Sequence, residues 1–513
     1  VRTSAALGAD VLGINPLHAL FAHEPDSILG NRIGTDAGGT FALGNGGDGV
    51  YLLEAGATLI GGAAAGEGNV ISGNADAGVN LVGTNVSHLL GNRIGTDESG
   101  TAPLGNGGPG VWVHDGSRFI EIGGELAREG NTVSGNGGHG ILIEGFDTAW
   151  VSIVGNVIGL DVTGSAALGN GGDGVRVDGG DGVRIGSGVA AAGNTISDNA
   201  GDGIRVDGAF TIIRGNLIGT DSSGQTAFGN DGAGIRLAGG ASGTVVGGSG
   251  EHQGNVISAN RGGGIVVDGE SGTLNQDNVV AGNLIGLTGD GAVALGNVGH
   301  GVVVTGGAHS TVIGGNRLDG EGNVIAGHTG GAGILLSGAD TRASKLLGNL
   351  VGTDAGGTLA LGNGRGIVAD GTLLTSIGAS DAGMGNVVSG NLGDGITISG
   401  AASRAAWILG NHVGTLASGT GTLGNAGSGI VVTNGARLTS VGGNAQGQRN
   451  VISANAVHGV LVGNSAGGVV VSGNLISALG ADAGHLGAVV RLENGATDNT
   501  IGGVGADEGN IIE

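Results

Sequence analysis

Apolar runs of two to four residues recur along almost the whole chain, each closed by Gly or Asn. Residues 49 to 82 show the unit: Val50-Tyr51-Leu52, then Thr58-Leu59-Ile60, then Asn69-Val70-Ile71. Aliphatic residues either alternate with polar ones or form a brief apolar run. That is strand patterning, and no 3.6-residue stripe competes with it beyond the N-terminus.

Two strings set the period. G-N-x-(I/V) occurs fifteen times between Asn31 and Asn510 and Arg449-Asn450-Val451-Ile452 fills a sixteenth step, with gaps alternating between 36–40 and 22–28 residues. The full repeat is therefore near 63 residues and holds two related units. A Gly followed by an aliphatic, any residue and a second aliphatic recurs from Gly49 to Gly459, thirteen intervals over 410 residues, or about 31.5 each. Three short strands per turn at fixed period predict an all-β solenoid: a single-stranded parallel β-helix of 14 to 15 coils. Equivalent residues then stack about 4.8 Å apart, giving a rod on the order of 65 to 70 Å long.

Composition supports this reading. Gly is 125 of 513 residues, Pro is 4 and aromatics are 2%. No Gly-X-Y triplet appears, which excludes collagen. Mean hydropathy is +0.24, too apolar for a disordered chain, and Gly, Asn and Asp interrupt every apolar run before it could span a membrane. A net charge of −24 argues against nucleic acid as a partner. The lone lysine, Lys345, follows Ser344, so no phosphate-cradling G-x-x-x-x-G-K loop exists. Without Cys there are no disulfides or thiolate metal sites.

The recurring Asn is read as a structural ladder, each side chain bonding the Asn above and below and tolerating left-handed backbone at a turn. Its members include Asn31, Asn92, Asn156, Asn216, Asn255, Asn323, Asn386 and Asn450. Gly at the corners supplies positive φ.

The strings "GNRIGTDAGGTFALGNGGDGVYLLEAG" and "GNVISGNADAGVNLVG" resemble right-handed parallel β-helix repeat proteins of the pectin-lyase-like type, over residues 28 to 513. The resemblance implies right-handed coiling, in line with the general crossover preference. It also implies a bacterial extracellular or cell-surface setting and a role among adhesins or polysaccharide lyases, hydrolases and epimerases. Residues 1 to 27 lie outside the repeat. Gly8 to Phe21 resemble a short piece of 4-α-glucanotransferase (amylomaltase), whose barrel needs about 250 residues, so that activity is not expected here. This segment reads as a remnant, or as a cap in which Leu17, Leu20 and Phe21 cover the first coil. The chain starts at Val1 without a signal peptide and stops at Glu513 inside another G-N-x-I string, the pattern expected of a fragment.

Candidate chemistry is sparse. Gly463 to Gly467 match G-x-S-x-G, but so Gly-rich a chain produces that match by chance. Gly138-His139-Gly140 and Gly299-His300-Gly301 resemble the G-H-G of polygalacturonases. Other coils place Asp48, Asp173, Asp202, Asp394, Ser428, Arg365 or His458 in the same slot, which therefore reads as an exposed polar corner. Calcium is a candidate cofactor through Asp36, Asp97, Asp161, Asp221 and Asp354, hard oxygens taken to lie at coil spacing. The strand after each marker Gly carries the most informative outward stripe. One zone is polar and aromatic: Trp112, His114, Glu144, Arg176, Asp178, Arg205, Asp207 and Arg236. It is the candidate glycan or polyanion face, the alternative being an Arg–Asp lattice. A second zone, Val266, Val303, Leu335, Val368, Val431 and Leu461, is an apolar strip expected to support self-association.

The function these features indicate is a non-catalytic extracellular or surface module, adhesive, structural or glycan-binding. The alternatives are a polysaccharide-active enzyme and, on residues 8 to 21 alone, a 4-α-glucanotransferase.

Overall fold

In the computed structural model, residues 26–270, 275–477, 487–505 and 507–512 are described. The three strands of each coil feed three parallel sheets. The first sheet runs over sixteen strands from Asp26–Ile28 to Thr500–Ile501, and the second over sixteen from Arg32–Ile33 to Ile511–Ile512. The third has fifteen strands, from Val50–Leu53 to Val490–Leu492. Every strand pairs in parallel with its equivalent one coil away, so the chain is a right-handed parallel β-helix of about fifteen turns. The one helical turn among the described residues is the 3-10 segment Arg317–Asp319. The first strand starts at Asp26, two residues before the boundary drawn from the repeat. Leu17, Leu20, Phe21 and the glucanotransferase-like segment lie outside the described residues.

The core is one aliphatic stack. Val175, Ile204, Ile235 and Ile265 lie on successive coils in register and have no exposed surface. Val, Ile and Leu, with a few Ala, make up this stack among the described residues, and β-branched side chains suit a pleated, buried strand.

The Asn ladder is complete. From Asn31 to Asn510 each side-chain Oδ1 accepts both the backbone N–H and the Nδ2–H of the Asn one coil earlier; Asn216 bonds Asn255 in this way at 3.0 and 2.9 Å. Asn216 Nδ2 also donates to Ile185 O at 2.9 Å. Buried amides are thus satisfied at every step. One detail departs from expectation: no ladder Asn has positive φ. In every second coil the Gly before it does, as at Gly215 (φ +66).

A second ladder escaped the sequence reading. Asn45, Asn74, Asn106, Asn136, Asn170, Asn199, Asn230, Asn260 and Asn297 stack at the turn into the third sheet, with Asn199 Nδ2 to Asn230 Oδ1 at 2.9 Å. The column passes through His328 and continues as Asn363, Asn391, Asn425 and Asn455. This ladder explains the marker Gly: a Cβ on Gly203 would stand 2.8 Å from Asn230 Nδ2.

Candidate functional site

The third sheet aligns the polar zone on its outer face. Trp112, Leu142, Arg176, Arg205 and Arg236 are consecutive register partners, and Val266 follows. Glu144 is the register partner of Asp178 in the neighbouring outward column, and Asp207 stands one coil on, beside Arg205. Strand alternation points these side chains outward while Val175, Val177, Ile204 and Val206 point inward.

At the N-terminal end of the strip, Trp112 stacks on His114, with ring centroids 4.1 Å apart and planes 26° from parallel. Its indole N–H donates to Glu144 Oε2 at 3.0 Å. His114 Nε2 lies 2.9 Å from Asn80 Oδ1, and Asn80 Nδ2 donates to Asp48 Oδ2 at 3.0 Å. Trp112 is half-buried and Glu144 exposed, so an aromatic face and a carboxylate meet solvent together.

Next comes the Arg–Asp lattice. Arg176 Nε donates to Asp178 at 2.8 Å and its other nitrogens lie 3.7 Å from Asp173 and Asp207. Arg205 Nε donates to Asp207 at 3.0 Å. Arg236 grips Asp202 with Nε at 2.7 Å and Nη2 at 3.3 Å, a bidentate pair. Arg205 Nη2 also lies 3.9 Å from Glu270 Oε1, so three guanidiniums face five carboxylates. The Arg–Asp lattice that stood as the alternative is what forms: the three guanidiniums are paired with carboxylates and the strip carries no positive excess.

Burial pushes the Asp178 carboxyl up, but hydrogen bonds from Arg176 and Asp207 outweigh it and hold Asp178 below the usual range. Burial pushes Asp207 up, and the neighbouring Asp178 adds to this against the opposing Arg205 hydrogen bond. The two carboxyls therefore shift in opposite directions.

The slot one position before each marker Gly departs from its reading as an indifferent exposed corner. Where it holds Asp or His, the side chain accepts from the next coil's backbone, while Arg365 in the same slot is exposed. Asp173 Oδ1 accepts Asp202 N–H at 2.7 Å, Asp202 Oδ1 accepts Ala233 N–H at 2.6 Å, and Asp394 Oδ1 accepts Ser428 N–H at 2.7 Å. The histidines serve through Nδ1: His139 accepts Asp173 N–H, His300 accepts Ala332 N–H and His458 accepts Ala488 N–H, each at 2.9 Å. An Nδ1 that accepts a backbone N–H carries no proton, so the tautomer this geometry suits has its N–H at Nε2. Burial depresses the pKa of both His139 and His300. Polygalacturonase-like chemistry finds no support in this arrangement. Ser465 of the G-x-S-x-G match sits in a left-handed corner (φ +63), its N–H bonded to Asn494 O.

The calcium candidates build loops. Asp221 Oδ1 accepts Gln225 N–H at 3.0 Å and Thr226 N–H at 3.1 Å, and Asp36, Asp97, Asp161 and Asp354 repeat the pattern. Burial raises the Asp221 carboxyl, but these hydrogen bonds prevail and lower it overall. The loops stack on one another in alternate coils, Ser222 N–H donating to Gly164 O at 3.0 Å and Gly289 N–H to Gly224 O at 2.8 Å. Equivalent carboxylates are therefore two coils apart, roughly 9.6 Å, rather than one. Among the described residues no three His, Asp or Glu side chains converge as a metal site.

The apolar strip also differs from expectation. Val266, Val368 and Val431 are only 5–8% exposed, and Val303, Leu335 and Leu461 are half-buried. Each outward aliphatic is shielded by its partners one coil above and below, so the strip presents much less apolar surface than its length suggests.

No protein-family model matches the chain, residues 8 to 21 included, and no curated protein matches it. Among solved structures, the chain is similar to a mutant of the periplasmic alginate epimerase AlgG, at 13% identity and TM-score 0.32, over 75% of this chain and 78% of that one. The A-module of an Azotobacter vinelandii mannuronan C-5 epimerase aligns at 13% identity and TM-score 0.29, over 91% of each chain. The Dettilon tailspike protein aligns at 17% identity and TM-score 0.34, over 82% of this chain and 62% of its own. The parallel-coil architecture stands on the strand order itself.

Proposed function

We propose that this chain is a non-catalytic extracellular or cell-surface β-helix that holds a hydroxyl-rich glycan along the outer face of the third sheet, from Trp112 to Arg236. The observation that carries the reading is the in-register column Trp112, Leu142, Arg176, Arg205, Arg236, flanked by Glu144, Asp178 and Asp207. A half-exposed indole offers an apolar face to a sugar ring. Carboxylate–guanidinium pairs offer acceptors and donors to hydroxyls at each coil without net positive charge. Glycan-array binding by the full chain should fall at least ten-fold in Trp112→Ala, as for an aromatic anchor of an interface, and again in Arg205→Ala with Arg236→Ala. Binding that survives both changes rejects the face.

A second reading, a polysaccharide-active enzyme, has one observation in its favour. Asp178 and Asp207 lie on adjacent coils and share Arg176, at 2.8 Å from Asp178 and 3.7 Å from Asp207, a close carboxyl pair of the kind that can divide acid and base roles. Turnover of neutral and uronate polymers that disappears in Asp207→Asn would favour it over the binding module.

A further inference from the structure

The corner loops joining the first sheet to the second form a separate site. Residues 315–322, 379–385 and 443–449 recur every second coil and pack in series, with Arg317 N–H donating to Gly383 O at 3.1 Å. Between them lies a cleft of about 260 Å³, lined by Arg317, Asp381, His412 and Arg449 among its polar side chains.

Its charges are unbalanced. Arg317 is half-buried, its Nη1 has no hydrogen-bond partner, and among the described residues no carboxylate lies within ion-pair distance of it. His412 Nδ1 is buried and equally without a partner. Burial lowers the pKa of both groups, and the Arg317 charge lowers His412 further. Arg449 spends Nε on Gly473 O at 3.2 Å and has no carboxylate partner among the described residues. Asp381 lines the cleft but pairs with neither guanidinium. A partly desolvated cation without a counter-charge is unfavourable, and it occurs here in a chain of net charge −24. The corresponding cleft beside Glu125 is satisfied from within: Glu125 Oε1 accepts from Arg184 at 3.1 Å and from Ser187 Oγ at 2.7 Å.

We propose that the Arg317–His412–Arg449 cleft binds a small oxyanion, a carboxylate or phosphate-type group. The free guanidinium donors of Arg317 and Arg449 and an N–H at His412 Nδ1 would take its oxygens. The site goes beyond the glycan face and shares no residue with it.

The test is calorimetric titration of the full chain, at constant ionic strength in chloride, with inorganic phosphate and separately with monomeric galacturonate. Saturable one-site binding of at least one probe is expected, weakened at least ten-fold by Arg317→Met and by Arg449→Met. Lys345→Met, at an exposed cation on the first sheet, should leave it unchanged. Binding of phosphate alone identifies a free phosphate-type ligand, and binding of galacturonate alone identifies a sugar acid. Saturation by neither probe, or equal weakening by Lys345→Met, overturns the proposal. Should Arg317→Met fail to fold, Arg449→Met decides by the same criterion.

Discussion

His328 stands in the second ladder as a surrogate asparagine: its Nδ1–H donates to Asn363 Oδ1 at 2.9 Å, as an Asn Nδ2–H does elsewhere. Its Nε2 accepts from Asn297 Nδ2 at 3.1 Å, taking the place of Oδ1. The two bonds fix one neutral tautomer, since a protonated ring would set a donor against Asn297.

Acid sensitivity follows. Burial pushes the His328 pKa down to about 4, while the unfolded chain takes up a proton near pH 6.5. The unfolded state binds more protons between these values, so native stability is fully present above about pH 6.5 and falls as pH drops toward 4. The slope is about 1.4 kcal/mol per pH unit, for a total of about 3 kcal/mol. His328→Asn should restore an ordinary ladder step and flatten the urea midpoint against pH over this window. An unchanged pH profile in that variant refutes the assignment.

Both Asn columns should be structural. Asn216→Ala strands the donors of Asn194 and removes the bond to Ile185 O, and Asn199→Ala does the same one ladder over. Each should cost about 1 to 3 kcal/mol in denaturant titration. Midpoints unmoved in both would show that the amides find water instead.

The acceptor slot separates two roles of Asp202. Asp202→Asn keeps an oxygen for Ala233 N–H but gives up the charge facing Arg236. Asp202→Ala loses both, leaves a buried donor unpaired, and should cost about 1 to 3 kcal/mol. The expected order of thermal midpoints is wild type, Asn, then Ala. An Ala variant as stable as the Asn variant would mean the backbone bond contributes nothing.

The shielding of the apolar strip predicts the behaviour of Val368→Asp. A carboxylate placed at a position 6% exposed should lower stability by about 1 to 3 kcal/mol. It should leave the mass in solution unchanged, as light scattering would read. A change of assembly state without loss of stability would instead make the strip an interface.

The solenoid, its three strands per coil, the paired period and the first Asn ladder were all legible in the sequence. Each is a local pattern repeated at fixed spacing, and stacking identical coils turns a one-dimensional repeat into a column. The outward stripe from Trp112 to Arg236 was legible for the same reason, through strand alternation. The second ladder had a signal, an Asn before each marker Gly as in "LGNGGDGV" and "SGNGGHGI", but His328 hides within it because only hydrogen-bond geometry equates imidazole with carboxamide. What the tertiary structure alone decided depends on distances across coils. It showed that Arg176, Arg205 and Arg236 are neutralised by Asp178, Asp207 and Asp202, and that the Asp36-type carboxylates turn inward on their own loops. It also brought Arg317, His412 and Arg449, 132 residues apart from first to last, to one cleft. The repeat dictates which residues share a column. Side-chain reach and burial decide which of them pair and which are left with free donors.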